Sequence, residues 1–216
     1  LDELIGTVLQ TLEDTGLGPS TSVIYSSDHG DNLGSHGLWG KSVMYESAAA
    51  VPLILRDPRL VPGTVVDAPV SLVDIAPTAA AICAPVVSDP AWAGTSLLAI
   101  ARNPPPNRPV LSQYHATSSN TGMFMIRQGR WKYIHYPGFA PQLFDLWSDP
   151  QERHDLGQDP SFAAVRQRLD TVLRSQCDPE AVNAGAFADQ AARIAANGGR
   201  AEIAASADIP FTPAPA

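Results

Sequence analysis

Asp28 and His29 stand together at the end of Ser22-Val23-Ile24-Tyr25-Ser26, a short run rich in β-branched residues that reads as a buried strand. A hard carboxylate oxygen beside an imidazole nitrogen suits a divalent cation. Gly30 and Gly34 let the backbone approach a ligand closely, and the carboxyl ends of strands in open α/β sheets are where ligands bind. Lys41 follows thirteen residues after Asp28 and can return a compact positive charge to the same place. A cation and a lysine together are what an anionic ester requires, so the chemistry points to sulfate or phosphate esters. Two protein ligands are too few for a complete shell around a hard cation, and further ligands must come from elsewhere. An Asx turn is the competing reading of the Asp-His pair. His36 is a further candidate for the same pocket, with a loop hydrogen bond as its alternative.

The pattern Ser27-Asp28-His29-Gly30-Asp31-Asn32-Leu33-Gly34, then His36-Gly37-Leu38-Trp39-Gly40-Lys41, runs on through Tyr45-Glu46 to Val51-Pro52-Leu53-Ile54. It resembles the second half of a sulfatase, a family grouped with phosphonate monoester hydrolases in the alkaline-phosphatase-like superfamily. Further matches are Ser71-Leu72-Val73-Asp74-Ile75-Ala76-Pro77-Thr78, Gly129-Arg130-Trp131-Lys132-Tyr133-Ile134, and Leu143-Phe144-Asp145-Leu146 with Asp149-Pro150. The stretch from Cys177 to Val182 resembles the close of bacterial sulfatases near the choline-sulfatase group. The resemblance implies that Asp28 and His29 bind one divalent cation, Ca2+ ahead of Mn2+ or Mg2+. It also implies that Lys41 contacts the sulfate and the ester oxygen of a small sulfated, or phosphorylated, organic substrate.

The same resemblance exposes what is missing. The family's nucleophile is a formylglycine made from Cys or Ser in a Cys-x-Pro-x-Arg motif. Cys83 and Cys177 each have a proline two residues on, but neither has the arginine, and the paired aspartates that open a sulfatase are absent. The expectation is a C-terminal portion of a longer enzyme, inactive alone, whose partner is the missing N-terminal portion. A second copy of the chain is another candidate partner. Two readings compete: a phosphonate or phosphate ester hydrolase of the same superfamily, and a non-catalytic binding or assembly module.

These residues need elements to hold them. Leu1, Leu4, Ile5, Val8, Leu9 and Leu12 mark one face of a helix, and Val51–Leu55 reads as a second buried strand. A helix follows from about Ser71 to Cys83, whose thiol reads as packed in the core. This alternation predicts an α/β fold: an incomplete alkaline-phosphatase-like sandwich, its mostly parallel main sheet flanked by helices, over residues 1–102. Asn103-Pro104-Pro105-Pro106-Asn107 is a stiff boundary. Close-spaced strand candidates at Val110–Tyr114, Met123–Arg127, Arg130–His135 and Gln142–Asp145 predict a small antiparallel sheet. Asp159 and Pro160 then start a helix that completes a subdomain over 103–178, and 179–216 is an Ala/Pro-rich tail whose last part, ending in Thr212–Ala216, reads as an extended strap or a mobile end. Arg127, Arg130 and Lys132 read as a solvated strand face, and Trp39 as a buried anchor of the motif loop.

Composition narrows the partners. A net charge of −8 argues against nucleic acid. No run approaches the roughly 20 apolar residues of a membrane span. With no leader to read, the bacterial cytoplasm and the periplasm stay open as compartments. Two cysteines in such different settings do not make a disulfide framework.

Overall fold

A computed structural model describes residues 1–84, 87, 89–116 and 119–206. The strap expected at Thr212–Ala216 lies outside them, as do Thr117 and Ser118. Helix α1 spans Asp2–Asp14 and leads into strand β1, Val23–Ser26. The motif loop follows, then the short helix α2, Glu46–Ala49, and strand β2, Leu53–Arg56. The two strands pair antiparallel, Val23 opposite Arg56 and Ser26 opposite Leu53. The mostly parallel sheet expected for this half is therefore not what its described strands form. Periodicity finds a strand but not the direction of its neighbour.

Helix α1 fully buries none of its residues: Leu4 is 70% and Val8 62% exposed, while Ile5, Leu9 and Leu12 are half-buried. It is held at its far end, where the Arg56 guanidinium donates to Glu13 at 2.6 Å. Just past β2, the Asp57 carboxylate accepts from Ser22 and from both arms of Arg59. The Arg59 hydrogen bond, above all, holds its pKa well below the usual carboxylate range.

The Ser71–Thr78 motif builds a junction. Ser71 and Asp74 form a reciprocal capping box before helix α3, Ile75–Cys83. Buried Asp74 also accepts from the Thr95 backbone and the Arg108 guanidinium, while Thr78 accepts from Leu97 at the start of helix α4, Leu97–Arg102. One acid thus joins α3, α4 and the entrance to the second half. Cys83, at the end of α3, is exposed, so the packed-core reading of its thiol is wrong: the last helical turn points it outward.

Strands β3 (Pro109–Tyr114), β4 (Met123–Gln128), β5 (Trp131–His135) and β6 (Gln142–Asp145) form an antiparallel meander in that order. Gly129, with φ of +56°, makes the tight β4–β5 turn. Side chains alternate across the sheet. Phe124, Ile126, Tyr133 and Leu143 meet Leu169 and Leu173 of helix α5, Ala163–Gln176, on one face. Met125, Ile134 and Phe144 meet Met44, beside Tyr45 and Ala49, on the other. The meander is thus the shared floor of α5 and of the segment that follows the motif loop.

The tail is helical where it is described. Asp178 accepts from the Ala181 amide and Pro179 opens helix α6, Pro179–Ala196, which ends before Gly198 and Gly199. Helix α7, Arg200–Ser206, follows. Alanine's high helix propensity outweighs the loop-like look of the composition. Glu180 ties α6 down by accepting from Arg174 and His135, so His135 is a sheet-to-helix tie more than a surface residue. Among the described residues, no helix is long and apolar enough to cross a membrane.

The Arg174 hydrogen bond, opposed by desolvation and helped by His135, lowers the Glu180 pKa to about 2, from an ordinary 4.5. A depressed carboxylate stabilises the fold above its unfolded pKa and loses that contribution as pH falls through the folded one. Glu180→Gln should therefore lower the melting temperature at pH 7, by on the order of 2 °C for so exposed a pair. The difference from the parent should vanish as the pH falls from 4.5 towards 2; thermal unfolding followed across that range checks it.

Candidate active site

The loop after β1 is wound by its own hydrogen bonds. Asp28 accepts from the His29 amide at 3.0 Å, and the Ser27 hydroxyl donates to the His29 carbonyl at 2.9 Å. Asp31 accepts from the amides of Leu33 and Gly40, a loop-cap role. Leu33, Gly34, His36, Gly37 and Gly40 all have positive φ, which folds the segment back so that Lys41 returns to Asp28 and His29.

Helix α2 forms the bed of this loop. The Gly30 amide donates to the Ala48 carbonyl at 2.8 Å. A Cβ on Gly30 would lie 2.1 Å from the Ser47 carbonyl oxygen, so only glycine permits the approach. Buried Asn32 donates to the Gly40 carbonyl from both backbone and side chain, and its own oxygen accepts from the Ser47 hydroxyl at 2.5 Å.

The side chains converge. His29 Nδ1 is 2.8 Å from the Gly30 carbonyl oxygen, which can only accept, so Nδ1 carries the proton and Nε2 presents its lone pair. That lone pair meets Lys41 Nζ at 2.5 Å and lies 3.4 Å from Asp28 Oδ2. Desolvation pushes the Asp28 carboxyl up, but the charge of His29, the nearby backbone amides and the charge of Lys41 together bring its pKa below the ordinary value. An imidazole nitrogen and an ionised carboxylate thus already face a positive group. The donor set fits a divalent cation, with Lys41 beside it. It does not complete a shell, since no group of three potential ligands gathers among the described residues.

Asp28, His29 and Lys41 line one side of an open cavity of about 610 Å³, with Glu46, Tyr114 and Arg127 among its other walls. His36 is not among the lining residues. It stacks flat on Tyr45, ring centroids 3.9 Å apart, because its left-handed backbone turns the ring that way. Trp39 is 79% exposed and anchors nothing by burial. His115 lies against the edge of Phe124 and bonds Gln113, beside the cavity and not in it.

Sequence reasoning missed Lys132 and Glu152. Lys132 is fully buried, its ammonium 2.7 Å from both Glu46 and Glu152. Arg127, opposite it in the strand register, lines the cavity, and Arg130 pairs with Asp145. The solvated strand face expected for these three cations is therefore wrong. The one available signal was the buried-type alternation on β5, which puts Lys132 on the same face as Ile134.

Comparisons with known proteins agree with this architecture. Residues 1–83 match the family model described as Sulfatase. The chain is 35% identical over 199 residues to the choline-sulfatase of Rhizobium meliloti (strain 1021), covering 89% of this chain and 38% of that protein. Among solved structures, that of BT4656 in complex with its substrate D-glucosamine-2-N,6-O-disulfate superposes with a TM-score of 0.75 at 28% identity, covering 83% of this chain and 40% of that one. The phosphonate monoester hydrolase of Agrobacterium radiobacter gives 0.68 at 28% identity, over 81% and 39%. The chain is similar to members of the sulfatase family, and it spans about two fifths of the length of these relatives.

Gly30→Ala should destabilise the chain by about 1–3 kcal/mol, the usual cost of overpacking a tight contact. Urea unfolding checks it, and a fully tolerated methyl there would contradict the close approach of loop and α2.

Proposed function

We propose that this chain carries the metal- and substrate-facing part of a sulfatase active site, which hydrolyses sulfate esters of small organic molecules. The observation that carries the reading is the convergence of His29 Nε2, the Asp28 carboxylate and the Lys41 ammonium on one wall of an open cavity. Asp28 and His29 would hold one divalent cation, Ca2+ before Mn2+ or Mg2+, with the remaining ligands supplied from outside this chain. Bound there, the cation would neutralise charge on the ester oxygens and favour the ionised form of a nucleophile.

This chain's own residues do the rest of the positioning. The Gly30 carbonyl holds His29 Nδ1, so Nε2 is the nitrogen turned towards Lys41 and Asp28. Lys41 would meet the sulfate and stabilise charge developing on its non-bridging or leaving oxygen, a preorganised charge of the kind that dominates such catalysis. Neither cysteine lines the cavity: Cys83 is exposed at the end of α3 and Cys177 packs against the α5 core. The nucleophile, a formylglycine by family resemblance, would therefore come from polypeptide beyond these 216 residues.

In an enzyme that contains this chain and the nucleophile, Asp28→Ala should abolish sulfate ester hydrolysis and lower bound divalent metal, read by elemental analysis. Lys41→Ala should leave metal content unchanged and lower turnover by about 100- to 1000-fold, the loss typical of one charge-stabilising donor. Full metal content in the Asp28 variant would sink the ligand assignment. The phosphonate monoester hydrolase likeness supports a second reading, hydrolysis of phosphonate or phosphate monoesters. Turnover on matched sulfate and phosphonate esters separates the two.

A further inference from the structure

We infer that Lys132, with Glu152 and Glu46, is a positioning device for Lys41; this rests on the function proposed for the site. Lys132 lies on β5 of the meander, far in sequence from the motif loop, yet its fully buried ammonium bonds one carboxylate from each side of the junction. Glu152 is itself buried, at a backbone φ of +54°, and its second oxygen accepts from the Glu46 amide at 2.6 Å. That bond satisfies one of the orphan N–H groups at the start of α2, whose N-terminal residue has no side-chain cap of its own. Arg127 stands close enough for its charge to feel both glutamates, so two cations and two carboxylates balance. Helix α2 is therefore clamped to the meander at its first residue.

From α2 the connection to Lys41 is continuous. Ser47 donates to Asn32, and Asn32 holds the Gly40 carbonyl through two donors, directly before Lys41. Asp28 and His29 are fixed largely by local bonds, from Ser27, from the His29 amide and to the Gly30 carbonyl. Releasing the clamp should move Lys41 more than it moves the Asp28-His29 pair. Nothing in Lys132 reaches the cavity, so its effect is indirect by construction.

The test uses the full-length enzyme and a double-mutant cycle. Lys132→Met keeps the length of the side chain and removes its charge. It should lower kcat by up to about 100-fold, the penalty of a misplaced group near the reacting atoms, with bound metal unchanged. In the Lys41→Ala background the same substitution should cost no more than about twofold, since coupled sites are not additive. Hydrogen exchange gives an independent readout: the Gly30 and Asn32 amides should lose protection while those of β4 and β5 keep theirs. Leaving two buried carboxylates unpaired threatens folding, so Glu46→Gln, at a partly exposed position that keeps the Lys132–Glu152 pair, is the second variant. It should lower kcat less, and again only when Lys41 is present. An unchanged kcat in both variants, or a loss that adds fully to that of Lys41→Ala, overturns the inference. A Lys41→Ala enzyme as active as the parent would instead overturn the reading of the site itself.

Discussion

An ammonium taken wholly out of water is tolerated only when its charge is answered, and Lys132 is answered by two carboxylates at 2.7 Å. Everything around the candidate site inherits from that requirement. Glu46 must begin α2 at the right height above the sheet, and Glu152 must adopt a left-handed backbone to bring its carboxylate in. Once both do, the Met44–Ala49 segment lies against the meander face formed by Met125, Ile134 and Phe144. The four-residue helix α2 is far too short to be stable alone, so its place is set by these tertiary ties. The motif loop then rests on a bed that the second half of the chain defines.

Apolar contact and polar ties divide the labour. The α5 face of the meander is closed by Phe124, Ile126, Leu143, Leu169 and Leu173, nearly all fully buried, and needs no specific partner chemistry. The opposite face carries Arg127 and Lys132 among its apolar residues, and there orientation matters more than burial. Asp74 plays the matching part on the first half, holding α3, α4 and Arg108 through one buried carboxylate. Two buried acids and one buried lysine thus fix the angles that apolar packing leaves free.

Much of this was legible in the sequence. The four meander strands fall within a residue or so of their expected limits, because alternation and glycine turns are local signals. The Asp159-Pro160 start of the α5 segment was legible for the same reason, since a cap is written in adjacent residues. The meeting of Asp28, His29 and Lys41 followed from a specific motif. What failed was non-local. A lysine on a strand reads as solvated until its two glutamates, 86 and 20 residues away, are known. The partner direction of β1, the turning of His36 onto Tyr45 and the exposure of Trp39 each depend on neighbours that periodicity does not name. The alanine-rich helix α6 was hidden by the proline-rich composition that follows it.

The spacing of these ties has a consequence for the order in which the chain assembles. Meander neighbours are joined by short turns, so closing β3 through β6 costs little loop entropy and the sheet can form early. The Glu46–Lys132 contact must wait for a far longer loop to close, and so must the hydrogen bond from the Glu46 amide to the Glu152 carboxylate, 106 residues apart. Nascent chains would therefore carry a finished meander while the motif loop was still unplaced. The seating of Asp28, His29 and Lys41 over the meander would arrive as one of the last events of folding, not as a property of the motif itself.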